Sequence, residues 1–180
     1  QAKRAGQIIR GIREFVQRQA PHRHSCQIGD LLNTVQSLLK SELQKNRVKL
    51  SIELDPGLPP LFADAVMLEQ VIFNLMRNAI EAMQATPVDK RSLHVRLTRD
   101  NEQLRAIIAD RGTGIAPEQL EQLFKPFYTT KVTGMGMGLN ICRSIIEHHQ
   151  GRLWVEPNPG GGCRFIFTVP FSEEHQAHEP

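Results

Sequence analysis

Two pairs of strand-like segments are joined by connections too short for anything but antiparallel neighbours. "LHVRLTR" and "LRAIIAD" are linked by "DNEQ", and "GRLWVE" and "CRFIFTVP" are linked around the glycine-rich turn Asn158 to Gly162. A parallel return needs a dozen or more residues, usually a helix, whereas a hairpin needs only a few. Between these pairs lie segments with helical periodicity. Chief among them is a long helix expected from Asp64 to Gln84, with Leu68, Val71, Ile72, Leu75, Ala79 and Met83 along one arc. "VKLSIEL" adds a strand with Val48, Leu50, Ile52 and Leu54 at period two, expected to be half-buried and ended by the turn chemistry of "DPGLPP". The pattern predicts an α+β two-layer sandwich: a mixed, mostly antiparallel sheet covered on one face by helices.

The N-terminal part adds helices rather than strands. "QAKRAGQIIRGIREFVQRQ" places Ala5, Ile8, Ile12, Phe15 and Val16 on one face and begins mid-pattern, without Met or cap, as a fragment would. Pro21 closes it, and "APHRHSCQ" reads as a linker. From Ile28 a second amphipathic helix carries Leu31, Leu32, Val35, Leu38 and Leu39, with Asp30 near its start, where a negative charge suits the macrodipole. The expected organisation is therefore a helix over residues 1–19, a linker over 20–27, the main domain over 28–172 and a frayed tail over 173–180.

Composition narrows the function classes. The chain has 180 residues, 40% hydrophobic and 23% charged, as an ordinary globular domain does. A net charge of +3, with Lys and Arg scattered, excludes the concentrated basic face of a nucleic-acid binder. Cys26, Cys142 and Cys163 are far apart and in no metal-ligand spacing, which fits a reducing compartment. No apolar run approaches the roughly 20 residues of a membrane helix.

Three features carry chemistry. Gly134, Gly136 and Gly138 stand at alternate positions just before an apolar-periodic helix. Such glycines allow close approach to the main chain, and a helix N-terminus suits phosphate; a glycine cluster can equally mark a plain loop. On the long helix, Gln70, Asn74, Asn78 and Glu81 share the stripe opposite the apolar arc. Asparagine is a mediocre helix former, so two on successive turns need a reason: paired amide carbonyls that ligate Mg²⁺ beside phosphate oxygens, or a solvated polar stripe. Third, "IIADRGTGI" holds Asp110 at a strand end, before Gly112 and Gly114, where a carboxylate can accept from an exocyclic amine and a flat ring can lie on the backbone.

In this order the motifs resemble the catalytic domain of bacterial two-component sensor histidine kinases, within the Bergerat-fold ATPases that include gyrase, the Hsp90 chaperones and MutL. "NLMRNAIEAM" resembles the N box, "DRGTGI" the G1 box, "LFKPFYTTK" the F box and "GMGMGL" the G2 box. "NAIEA", "PFYTTK" and "GMGMGL" further resemble the PAS-linked oxygen-sensing kinases of nitrogen fixation and the C4-dicarboxylate-sensing kinases. The resemblance implies that Asn78 with Asn74 ligates Mg²⁺ bridging the ATP phosphates, and that Asp110 binds the adenine amine in a pocket shaped by Gly112 and Gly114. It also implies that Gly134, Gly136 and Gly138 form the phosphate end of a lid, with the helix from about Leu139 aimed at the triphosphate. Lys131 and Arg77 become candidate phosphate contacts, and Phe124 and Phe127 lid anchors.

The chain departs from the family pattern in two places. Met135 and Met137 stand where the G2 box usually carries small or aliphatic residues, and Cys163 stands where threonine is common, so Cys163 is assigned no nucleotide contact. None of the 7 histidines lies in an H box; the first helix resembles the second helix of the dimerisation domain, which places the phosphoacceptor upstream of Gln1. The implied partners are the chain's own dimerisation domain, as a homodimer in the intact protein, and a response-regulator receiver domain. The implied location is cytoplasmic, any inner-membrane anchor lying in other segments. A clamp ATPase would carry a glutamate base where Asn74 stands and would lack the F box; an amide cannot serve as that base. A degenerate nucleotide-binding module would be expected to lose its boxes, which are intact.

Overall fold

The computed structural model describes residues 22–126, Tyr128 and 138–171. The expected first helix, the tail, Phe127, Lys131, Gly134, Gly136 and the departure at Met135 and Met137 lie outside the described residues. Within them the order is β1 (His24–Cys26), α1 (Ile28–Lys45), β2 (Lys49–Leu54), β3 (Leu61–Ala63), α2 (Ala65–Ala82), β4 (Ser92–Asp100), β5 (Gln103–Ala109), α3 (Pro117–Leu120), α4 (Gly138–His148), β6 (Arg152–Pro157) and β7 (Cys163–Pro170).

Five strands form one sheet in the order β2-β4-β5-β7-β6. The β4–β5 and β6–β7 pairs are antiparallel neighbours, as their short connections require, and β5 pairs antiparallel with β7. Asn101, at φ 55, turns the β4–β5 hairpin, a left-handed conformation that asparagine tolerates. Only β2 runs parallel to its neighbour, β4, and the long return between them passes through β3 and α2. The sheet is mixed and covered on one face by helices, as the sequence pattern predicts.

Period-two alternation assigns the two faces. Leu93, Val95 and Leu97 of β4, Leu104, Ala106 and Ile108 of β5, and Phe165, Phe167 and Val169 of β7 are buried and join the core with α1, α2 and α4. The opposite face is amphipathic: Arg105 and Arg152 hold their guanidinium carbons 5.7 and 5.3 Å from the Trp154 ring centroid, and the Trp154 indole N–H donates to Glu156 at 2.9 Å.

Three expectations are corrected. The linker contains a strand: His24–Cys26 pairs antiparallel with Leu61–Ala63, two three-residue strands too short to show a period. Leu38 is 65% exposed, because it falls at the rim of the α1 arc centred on Val35 and Leu39. β2 is less buried than its alternation suggests, with Ile52 and Leu54 at 36% and 48% exposure. It is an edge strand, and open grooves separate it from α1, one lined by Lys40, Leu43 and Leu50 and another by Ile28, Gly29 and Leu54.

The helix boundaries have local causes. Asp64 caps α2 rather than opening it, its Oδ1 accepting from the Met67 backbone N–H at 3.1 Å. A second clip meets it there. His149, just past α4 and 4% exposed, accepts the Asp64 backbone N–H on Nε2 at 3.1 Å and donates from Nδ1–H to the Ile145 carbonyl at 2.8 Å. Because a backbone N–H can only donate, the imidazole is neutral with its proton on Nδ1. Burial holds its pKa below the ordinary value, the Ile145 bond opposing. Arg23, beside β1, donates to the His148 carbonyl, so the entering chain is tied to the end of α4. His148 itself ends the helix as a basic residue near a C-terminus does.

Candidate functional site

Asp110 follows β5 directly and is 2% exposed. Its backbone N–H still belongs to the sheet, donating to the Cys163 carbonyl at 2.9 Å. Its side chain turns back on the loop: Oδ1 accepts from the Gly112 N–H at 2.8 Å and the Cys163 N–H at 3.3 Å. Oδ2 accepts no hydrogen bond among the described residues. Burial raises its pKa above the ordinary carboxyl value, and the Gly112 and Cys163 N–H bonds offset part of that rise.

The loop is clamped from two sides, at contacts where only glycine fits. A Cβ on Gly112 would lie 2.6 Å from the Ala82 carbonyl oxygen at the end of α2. A Cβ on Gly162, at φ +85, would lie 2.2 Å from the Asp110 carbonyl oxygen and 2.5 Å from Oδ1. Asn158 donates to the Asp110 carbonyl at 2.7 Å, Arg111 donates to the Pro159 carbonyl at 2.7 Å, and Thr86 donates to the Arg111 carbonyl at 3.0 Å. Gly114 adopts φ +77 beyond the clamp. The β6–β7 turn, read in the sequence only as a hairpin, thus packs directly against Asp110. Cys163 lies there too, 5% exposed, its thiol pushed up to about 11 by burial and by the Asp110 charge, with the Ile115 N–H opposing.

The asparagine turn lies close by through α2. Asn78 precedes Ala82 by four residues, so it stands one turn from the contact that seats Gly112. Asn74 and Asn78 are both half-buried. Asn74 donates from its amide nitrogen to the Cys142 sulfur of α4 at 3.7 Å. Arg77, in contrast, is drawn away by carboxylates, its Nε standing 3.3 Å from Glu81 and 3.8 Å from Glu42. Gly138 opens α4 with no atom of the other described residues, its chain neighbours apart, within 4 Å of where a Cβ would be, and Leu139 beside it is half-buried. Further along α4, Arg143 lies 5.5 Å from the Phe124 ring centroid. Among the described residues no three His, Cys, Asp or Glu side chains gather as a metal site, and no helix is long and apolar enough to cross a membrane.

The region that holds these features is the one shared with known proteins. Residues 63–173 match the family described as histidine kinase-, DNA gyrase B- and HSP90-like ATPases. The C4-dicarboxylate transport sensor protein DctS of Rhodobacter capsulatus is 40% identical over 97% of this chain, and the sensor protein FixL of Bradyrhizobium diazoefficiens 41% identical over 97%. The chain spans 26% and 34% of the length of those two relatives. Among solved structures, the catalytic domain of the histidine kinase ThkA superposes with a TM-score of 0.75 at 30% identity, over 85% of this chain and 98% of that one. ThkA in complex with the response regulator TrrA gives a TM-score of 0.78 at 27% identity, over 96% of this chain and 49% of that one.

The chain belongs to the histidine kinase-, DNA gyrase B- and HSP90-like ATPase family, and within it is an ATP-binding catalytic domain of the sensor histidine kinase kind.

Proposed function

We propose that this domain binds Mg²⁺-ATP between the Asp110 loop and the Asn74–Asn78 turn, and supplies the γ-phosphoryl group to a histidine outside these 180 residues. The observation that carries this reading is Asp110. A buried carboxylate with a raised pKa is costly to maintain unless a partner completes it, and its Oδ2 is the uncommitted acceptor an adenine amine needs. Gly112 and Gly162 let the loop close tightly around the carboxylate, and Gly114, whose Cβ position meets only the Gly162 carbonyl oxygen at 3.7 Å, leaves backbone for a flat ring.

The donor chemistry of the asparagine turn fits Mg²⁺. Amide carbonyls are hard, neutral oxygen ligands, and Mg²⁺ takes few protein ligands beside water and phosphate oxygens. Asn78 and Asn74 would hold the ion, which would neutralise phosphate charge when bound. The protein's own contribution is positioning: α2 presents two carbonyls one turn apart, α4 brings its N-terminus at Gly138 and Leu139 toward the same side, and Asp110 fixes the far end of the nucleotide. Lys131, Gly134 and Gly136 belong to the same reading as phosphate contacts. Arg77 stays with Glu42 and Glu81. Asn74 offers no general base for water, so transfer to a positioned imidazole is favoured over hydrolysis.

The longer relatives support the rest of the proposal. The residues before the linker would belong to a dimerisation domain, homodimeric in the intact protein, whose histidine accepts the phosphoryl group and passes it to an aspartate of a response regulator. No nucleic acid is involved, and the domain works in the cytoplasm, any membrane anchor lying elsewhere in the whole protein.

Calorimetric titration with ATP, with and without Mg²⁺, tests the site. Binding should strengthen with Mg²⁺ and fall at least about 100-fold in Asp110→Asn, whose amide cannot offer the same pair of acceptors. Undiminished affinity in that variant would refute the adenine assignment.

A further inference from the structure

Asn74 and Cys142 lie on different helices, α2 and α4, and meet where the two pack. The contact is a hydrogen bond from the Asn74 amide nitrogen to a sulfur on a side chain that is 0% exposed. Burial pushes that thiol up to about 12, so it stays neutral at ordinary pH. What remains to it is geometry.

A primary amide has two chemically opposite ends, an NH₂ that only donates and a carbonyl that only accepts. A cation is ligated by the second and repelled by the first, so the orientation of an asparagine beside Mg²⁺ decides whether it helps or harms. The two orientations differ little in shape, and only the hydrogen-bond surroundings select between them. At Asn74 the selecting group is the Cys142 sulfur: it takes the NH₂ and leaves Oδ1 as the uncommitted end.

We propose that Cys142 is a positioning residue for the cation, setting the Asn74 amide so that its carbonyl and not its N–H faces the Mg²⁺ held with Asn78. Cys142 stands one turn inside the helix that opens at Gly138, so the same bond couples the metal turn of α2 to the helix leading from the glycine segment. The inference rests on the Mg²⁺-ATP reading given above, and goes beyond it by assigning a role to a side chain outside the four boxes.

The test is ATP calorimetry at stepped Mg²⁺ concentrations on the wild-type chain, Cys142→Ala, Cys142→Ser, Asn74→Ala and the double variant. Cys142→Ala should raise the Mg²⁺ concentration for half-maximal strengthening about tenfold, the low end for losing an outer-shell partner. Affinity without metal serves as the internal reference. Cys142→Ser, which keeps an acceptor, should recover most of the loss. The double variant should be no worse than Asn74→Ala, because Cys142 acts only through Asn74. Should the alanine variant fail to fold in a thermal scan, Cys142→Val replaces it, filling the space without an acceptor. A wild-type Mg²⁺ requirement in the Ala or Val variant, or full additivity with Asn74→Ala, overturns the inference alone. A wild-type chain whose ATP binding ignores Mg²⁺ overturns the underlying reading and this inference with it.

Discussion

The two ends of the candidate site are built by different means. Around Asp110 the walls are backbone: Gly112 lies against the Ala82 carbonyl, Gly162 lies against the Asp110 carbonyl, and peptide N–H groups hold the carboxylate. Around Asn74 and Asn78 the groups are side chains, and Asn74 meets another side chain, Cys142. Backbone contacts admit almost no variation, because any added atom meets a group that cannot rotate away. Side-chain contacts admit exchange wherever shape and hydrogen bonding are kept. The Asp110 end is therefore a fixed template and the asparagine end an adjustable one, and substitutions should divide accordingly.

The largest effect is expected at Gly162. A Cβ there meets backbone and carboxylate at 2.2 and 2.5 Å, at a φ of +85 that L side chains rarely adopt. The left-handed conformation alone costs about 1–2 kcal/mol. With the clash added, Gly162→Ala should lose more than about 4 kcal/mol in urea unfolding, a size reserved for named structural faults. A loss below about 1 kcal/mol would show that the 158–162 turn yields, and the contrast between the two ends would weaken. Asp110→Asn should separate function from stability. Asp110 has its pKa raised by burial, so its ionised form opposes folding near neutral pH, and this opposition is relieved as pH falls through the raised value. Without the charge, the ATP-free domain should unfold at the same or a higher temperature while ATP binding is lost; a marked fall in that temperature would make Asp110 a structural residue.

Most of the architecture was legible because it rests on periodicity. The α2 arc from Leu68 to Met83 is buried as its spacing requires, and the β4–β5 and β6–β7 pairs follow from their connections. Where burial depends on neighbours outside the segment, periodicity fails. Ile52 and Leu54 alternate correctly yet stay exposed, since β2 has a strand on one side only and α1 meets it across open grooves. His24–Cys26 is too short to have a period at all. The candidate site was legible in Asp110, Gly112, Asn74 and Asn78, whose residue types are odd for their elements. It was not legible in Gly162 or Cys142, whose types suit a turn and a helix core and whose importance lies wholly in what they touch. His149 shows the same limit: its burial against the Asp64 N–H is a long-range contact.

That contact carries a pH dependence of moderate size. His149 has a folded pKa below the ordinary 6.5 of the unfolded chain, so folding favours its neutral form. Its contribution to stability is complete above about pH 6.5 and is lost as pH falls from there through the folded value, because the unfolded state takes up the proton first. Arg23 and His148 press in the same direction as burial, and Asp64 and the Ile145 bond oppose it. Subtracting the stability curve of His149→Gln from that of the wild type isolates the group from Asp110, whose dependence has the opposite sign. A difference curve that stays flat between pH 7 and 5 would mean that folding does not lower the His149 pKa, and that the Asp64 N–H does not hold the ring neutral.

The smallest effect is expected at Arg77, and it tests the adjustable end most directly. Its two carboxylate partners are 3.3 and 3.8 Å away and its side chain is 51% exposed, so solvent screens both ion pairs. Arg77→Ala should change stability by no more than about 0.5 kcal/mol, as exposed pairs one helical turn apart do. ATP affinity should change less than about threefold, because a guanidinium held by Glu42 and Glu81 would gain little by exchanging two carboxylates for a phosphate that the proposed Mg²⁺ would neutralise. A tenfold loss of affinity with stability unchanged would show that Arg77 leaves its carboxylates when nucleotide binds. The asparagine turn would then be a surface that rearranges around its ligand, and the distinction between a fixed Asp110 end and an adjustable asparagine end would be sharper still.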